Sequence, residues 1–444
     1  MCNLYHCIWK IIVVSVILLE QNVVWAQTFA GDNSYSSHFD LRQEAALLVK
    51  EEKLQKFRSI LLFKPEYVFS SNIFAKLIFR ADYDFRYDWD ENYSAATKDQ
   101  GQSQFEVREA VLHWSQKNTN WIIGKQRISW GKSDGIRLLD VINPLDFREF
   151  ILEDFEDSKI PLWMFNRTQY IKEWSWQILT IFDFEPNRFA PLGTDYYDNF
   201  NNPAQVDGIQ EESPSDFALR DMEIGNQLSG SLGGIDVSLN HFYTYDDNFV
   251  VEFYPEFTPV GVNPNPRKIF DRLHFVGSSF SSTFASWVWR GEFASIHGRR
   301  FALNKEELTR SLQNEPDKHG LSENPQFLGL FALDYSNNDW FTSMQFFSDW
   351  VTGSTKKLRR ERVEQIVTWL VHRDLRYDTI RLRLFSLYSL DEDAWINQPK
   401  VIYHYNDLLA ITVGADLFSA RDGDGFFRQF KNKNRFFVTF RYQI

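Results

Sequence analysis

Residues 73–88 read IFAKLIFRADYDFRYD, and an extended strand is the conformation that makes sense of this order. Successive side chains of a strand point to opposite faces. The odd positions Ile73, Ala75, Leu77, Phe79, Ala81, Tyr83, Phe85 and Tyr87 then form an apolar face. Lys76, Arg80, Asp82, Asp84, Arg86 and Asp88 charge the opposite one. Globular strands usually run to about 5–6 residues, and their solvated faces seldom carry charges this densely over such a length. A strand apolar outside and charged inside is what a membrane-spanning barrel requires.

The same register recurs along the chain. Trp174, Trp176, Ile178, Thr180, Phe182 and Phe184 share a face, and Trp287, Trp289 and Phe293 alternate with Arg290 and Glu292. Ile380, Leu382, Leu384 and Tyr388 alternate with Arg381 and Arg383, and Leu409, Ile411, Val413, Ala415 and Leu417 with Thr412 and Asp416. The last segment, RFFVTFRYQI, sets Phe436, Val438, Phe440, Tyr442 and Ile444 against Arg435, Thr439, Arg441 and Gln443. An amphipathic aromatic strand here resembles the signal read by outer-membrane assembly machinery, with Ile444 where Phe or Trp is usual. Composition agrees: aromatics are 17%, with 41 Phe, 18 Tyr and 15 Trp, yet the mean hydropathy is negative. Beyond the N-terminal segment nothing reaches the ~18 apolar residues of a helical span. A net charge of -12 argues against nucleic acid as a partner.

The pattern gives strands near 38–50, 57–69, 73–88, 103–116, 119–128, 163–173, 174–185, 217–229 and 234–246. It gives others near 268–282, 283–297, 326–336, 339–351, 362–374, 377–389, 394–405, 408–420 and 433–443. The count is eighteen, with sixteen as the alternative. Long connections, 89–102, 129–162, 186–216, 247–267, 298–325 and 421–432, follow odd strands. Only a few residues follow even ones, as at 117–118, 230–233 and 337–338. Short periplasmic turns and long outer loops are the asymmetry of bacterial barrels. The expected fold is therefore all-β: a single transmembrane antiparallel up-and-down β-barrel over 38–444.

The N-terminus supplies the export route. Lys10 precedes the apolar run Ile11–Leu19, and Val24-Trp25-Ala26 fits a signal-peptidase site. A signal peptide over 1–26 and a short periplasmic leader over 27–37 are expected. Cys2 and Cys7 fall inside the removed segment, so no disulfide or thiolate site is expected in the mature chain. No plug-sized segment is expected ahead of the first strand, so a TonB-dependent transporter is not the expected class.

The most distinctive stretch is 124–163, GKQRISWGKSDGIRLLDVINPLDFREFILEDFEDSKIPLW. Gly124, Gln126, Trp130 and Gly131 fit G-x-Q-x-x-x-W-G. Asp140, Val141, Ile142, Asn143, Pro144 and Asp146 fit D-V-[IV]-N-P-x-D. With these the chain resembles a large group of proteobacterial porin-like outer-membrane barrels catalogued as a domain of unknown function. Alginate-export-type barrels are a related alternative. The resemblance implies membrane location and a transport role, and brings no established catalytic or ligand residues.

Physically, 129–162 is the third outer loop. Ile136, Leu138, Leu139, Val141, Ile142 and Leu145 are too apolar for an exposed connection, and Asn143-Pro144 marks a turn. The loop is expected to fold into the lumen. Lys132, Asp134, Arg137, Asp140, Asp146, Arg148 and Glu149 then line a constriction, with Asn143 at its turn, or pair to pin the loop. Asp422-Gly423-Asp424-Gly425 reads as a hairpin turn rather than a calcium loop. The scattered histidines have no metal spacing. His297 at a strand end is the one candidate for a rim catalytic pair, and the expectation is that the chain is not an enzyme, with no cofactor and no metal.

These features point to a porin-like channel or export conduit of the outer membrane for a small solute, lipid or polysaccharide. The alternatives are a non-conducting barrel that scaffolds a partner and, last, a barrel enzyme. Expected partners are outer-membrane lipids, lipopolysaccharide and the barrel assembly machinery, with an inner-membrane exporter or periplasmic protein as a further one.

Overall fold

The structure, a computed structural model, describes residues 34–198, 209–258, 261–263, 265–315, 317, 319–353 and 355–444. The expected signal peptide, and 27–33 of the expected leader, lie outside the described residues. Eighteen antiparallel strands close into one sheet. They are β1 (Ser34–Leu48), β2 (Lys53–Ser70), β3 (Ile73–Asp84), β4 (Ser103–Gln116), β5 (Thr119–Gln126) and β6 (Leu162–Ile171). Next come β7 (Trp174–Ile181), β8 (Glu223–Leu232), β9 (Ile235–Tyr245), β10 (Arg272–Phe284), β11 (Trp287–His297) and β12 (Gln326–Asn337). The last are β13 (Trp340–Val351), β14 (Val363–Leu375), β15 (Ile380–Ser389), β16 (Ala394–His404), β17 (Leu409–Ala420) and β18 (Arg435–Gln443). Consecutive strands pair around the ring, and β1 closes it on β18 through pairs such as Leu41 with Tyr442. Closure removes the free edges that an open sheet cannot keep in lipid.

The alternation seen in the sequence decides the two faces. Leu61, Leu77, Leu112, Ile123, Leu239, Phe293, Phe331, Met344 and Val413 point outward and are exposed. Asp40, Lys56, Asp82, Arg108, Asn240, Glu292, Gln345 and Asp416 point inward and are buried. Trp114, Trp121, Trp176, Trp287 and Trp340 lie near the short-turn end of the wall, and Trp163, Trp350 and Trp395 near the long-loop end. Two aromatic girdles flanking an apolar belt mark the interfaces of a bilayer-spanning barrel.

Several strands are shorter than their alternation suggests. The third ends at Asp84 instead of running to 88. Its carboxylate accepts the Phe57 and Arg86 amides at 3.1 and 3.0 Å, and Arg86–Trp89 winds into a helical turn over the rim. Likewise β5 stops at Gln126, β7 at Ile181, and β8 begins only at Glu223. The first strand starts at Ser34 rather than near 38. Between β5 and β6, residues 127–161 enter the lumen, as their apolar content requires.

Candidate functional site: a loop across the lumen

The inward loop is built on a neck. Gln126, the last residue of β5, is 4% exposed. Its amide nitrogen donates to the Met164 carbonyl at 3.3 Å, and its oxygen accepts from Asn166 at 3.2 Å. Asn143, wholly buried, ties the departing and returning chains together. Its oxygen accepts the Ile128 amide at 2.7 Å, and its nitrogen donates to the carbonyls of Ile160 at 2.8 Å and Gln126 at 3.4 Å. The Pro144 carbonyl accepts the Ile160 amide at 2.8 Å. Asp140 accepts the Trp130 amide at 3.3 Å and pairs with the fully buried Lys159 at 2.8 Å. The Arg137 guanidinium donates to the Asp140 carbonyl and, at 2.5 Å, to that of Asn143. Arg137, Asp140 and Asn143 thus spend their polar groups within the neck.

From the neck the loop reaches one wall. Ile128, Trp130, Leu138, Leu139 and Ile142 pack in a single apolar cluster with Met164, Leu179, Phe242, Phe275, Ile296 and Leu330. The Trp130 indole donates to Gln177 at 2.8 Å. Gly131 sits at φ +90, where a Cβ would lie 2.8 Å from a Glu292 carboxylate oxygen. Glu292 accepts the amides of Lys132 and, at 3.2 Å, Leu139. Arg290 donates to the Lys132 carbonyl and to Asp134 and Asp334 at 2.7 and 2.8 Å. The Lys132 side chain is exposed.

The later part of the loop reaches a different wall. Phe150 and Leu152 pack with Phe385, Leu387, Ile396, Phe418 and Phe430 from β15–β17 and the last long loop. Glu149 pairs with Arg435 at 2.8 Å and Lys56 at 3.4 Å. Burial by itself would raise its carboxyl, but Lys56, Arg435 and Arg58 outweigh that and hold it well below the usual carboxylate range. Asp146 and Arg148 pair with each other, and Arg148 also donates to Gln104 at 2.5 Å. With one apolar anchor against the walls around β6–β12 and another against β15–β17, the loop crosses the lumen.

Sequence reasoning found the loop but missed its receptors on the wall. Glu292, Arg290 and Arg435 are distant in sequence, and within the loop itself the buried Lys159 carries no motif. The alternation of Arg290 and Glu292 in β11 was the one visible trace of the first two. It also missed Arg383 and Lys400. These face each other directly across the β15–β16 pair, and neither has a carboxylate within ion-pairing distance among the described residues. Asp154, an exposed loop residue, is within electrostatic range of both, while Asp134 also acts on Arg383 and Asp416 on Lys400. His297 bonds only to Ser295, at 2.8 Å, and no carboxylate orients its ring among the described residues. In the same set, no cluster of three metal-ligating side chains occurs.

Residues 59–380, including the whole crossing loop, match the family described as "Protein of unknown function (DUF1302)". The chain belongs to that family. No curated protein matches it. Among solved structures, this DUF1302 member is similar to OccAB2 of Acinetobacter baumannii at a TM-score of 0.54 and 9% identity, over 92% of this chain and 98% of that one. It is similar to OccK2 (OpdF) of Pseudomonas aeruginosa in complex with glucuronate at 0.52 and 10%, over 94% and 99%. It is also similar to OpdK of Pseudomonas aeruginosa with vanillate at 0.51 and 9%, over 94% and 100%. At such identities the likeness establishes a shared barrel fold.

Proposed function

We propose that this DUF1302 member is an outer-membrane channel for small anionic solutes, narrowed by the crossing loop. The observation that carries the reading is the Arg383–Lys400 pair. Like charges directly opposite on neighbouring strands repel, and a barrel wall offers no structural gain from leaving them without a counter-ion. In a water-filled lumen the same pair attracts anions, and rings or patches of charge at a narrowing select what passes. Asp154 on the loop faces them and gives the passage one cationic and one anionic side, which orients a dipolar solute. The two similar barrels solved with glucuronate and vanillate hold carboxylates, which favours a carboxylate-bearing solute here. Lys132, Asp134 and Asp154 are the loop charges proposed to border the passage. Arg137, Asp140 and Asn143 hold the loop in shape.

The test is reconstitution of the purified barrel in planar bilayers under a salt gradient. Discrete conductance steps with a reversal potential on the anion-selective side are expected. A folded barrel that stays electrically silent would overturn the channel reading and favour a structural barrel that scaffolds a partner.

A further inference from the structure

The barrel wall has a gap. On its β5 side, β4 is paired only from Ala110 to Gln116; residues 103–109 pair with β3 alone. Three features meet where β5 lets go. Arg108 is bulged out of the ladder, between the Ile78–Glu109 and Phe79–Val107 pairs. Gly124 sits at φ +130, where any side chain would collide with the Ala110 carbonyl oxygen. The lumen loop then departs at Gln126. Bulges of this kind bend strands beside functional openings.

A cavity of about 720 Å³ occupies the gap, within the roughly 300–1,000 Å³ of ligand sites. Its outward side is lined by Phe105, Val107 and Trp163, its lumen side by Glu106, Arg148 and Arg188. Arg188 is held by Glu106 at 2.9 Å and Arg148 by Gln104 at 2.5 Å, so the inner mouth is polar and fixed. Phe105 is 72% exposed. It ends a ribbon of rings on the outer face of β1–β4, stacked Phe39–Phe63, Phe63–Phe79 and Phe79–Phe105 at 4.7, 6.3 and 6.2 Å. The ribbon puts the outer mouth on the lipid-facing belt. Unpaired backbone there is costly unless something supplies partners.

We propose that this gap is a lateral binding site for a single-chain membrane amphiphile. The apolar chain lies on Phe105, Val107 and Trp163, and the hydrogen-bonding head reaches Arg148 and Arg188 through the wall. A purely apolar guest would leave the strand edge at 103–109 unmatched, and a purely polar one would not partition to Phe105. The site goes beyond the channel reading and does not depend on an open pore.

The test is photolabelling of the full barrel in nanodiscs with palmitic acid carrying a mid-chain diazirine, read by peptide mass spectrometry. Label is expected to concentrate on 103–109 and Trp163, and to fall about tenfold with excess unlabelled palmitate. Val107→Trp, which fills the cavity, should suppress it equally, while Val107→Ala keeps it. Heat-modifiable gel mobility confirms that each variant is folded. Three results would overturn the proposal: label spread evenly over the lipid-facing strands, undiminished label in folded Val107→Trp, or cross-linked pairs of chains joined through β4. Ion conductance, measured separately, is expected to be the same in Val107→Trp. A barrel that binds the probe yet passes no ions would sink the channel reading alone.

Discussion

Glu292, on the lumen face of β11, accepts the backbone amide of Leu139 at 3.2 Å, so the barrel wall itself holds the tip of the crossing loop. The same carboxylate accepts the Lys132 amide, and its residue is wholly buried. Hydrogen bonds to a buried charge contribute about 1.5–3 kcal/mol each. Glu292→Ala should therefore cost about 3 kcal/mol and free the loop tip. The expected readouts are a lower unfolding temperature and noisier, larger conductance steps. Unaltered steps would mean the tip does not border the passage.

Asn143 is the second lever, because it joins both ends of the neck. Asn143→Ala removes the acceptor of the Ile128 amide and the donor to the Ile160 carbonyl. Each buried group left without a partner costs about 1–3 kcal/mol. A substantial loss in thermal stability is expected. Asn143→Asp keeps the acceptor but loses the donor and buries a charge, so it should be no better tolerated. Melting of the folded form followed by gel mobility compares the three proteins.

Acid should release the loop's second anchor. Since the folded carboxyl of Glu149 lies below its ordinary value, its pairing stabilises the protein fully above the unfolded pKa. That contribution disappears as pH falls through the lower folded value. Wild type is expected to hold its unfolding temperature down to about pH 4 and to lose it steeply below. Glu149→Gln should be less stable at neutral pH, with a shallower acid limb. Identical pH profiles for the two proteins would show that the anchor is apolar, resting on Phe150 and Leu152.

Removing the wall cations tests the channel's sign. In the double variant Arg383→Ala, Lys400→Ala, anion selectivity should fall sharply, with a shift of reversal potential toward cations under a salt gradient. Stability should stay the same or rise, since two like charges opposite each other no longer repel. A selectivity equal to wild type would assign the filter elsewhere in the lumen.

Much of this protein follows from alternation alone. With period two, one apolar and one polar face, and connections long and short in turn, the eighteen strands and their order leave little freedom. The apolar residues among 136–145 were likewise enough to turn the third loop inward, because water rejects them at an exposed rim and the interspersed Arg137 and Asp140 keep the segment out of lipid. What the sequence could not carry is where the loop docks. Glu292 and Leu139 are far apart along the chain and meet only because the closed barrel brings β11 beneath the loop. The confrontation of Arg383 with Lys400 depends on register between β15 and β16, which a one-residue slip would erase. The gap beside β4 depends on a strand that stops early, although its alternation runs on. Alternation reports which face a side chain takes; only tertiary pairing reports which neighbour it meets.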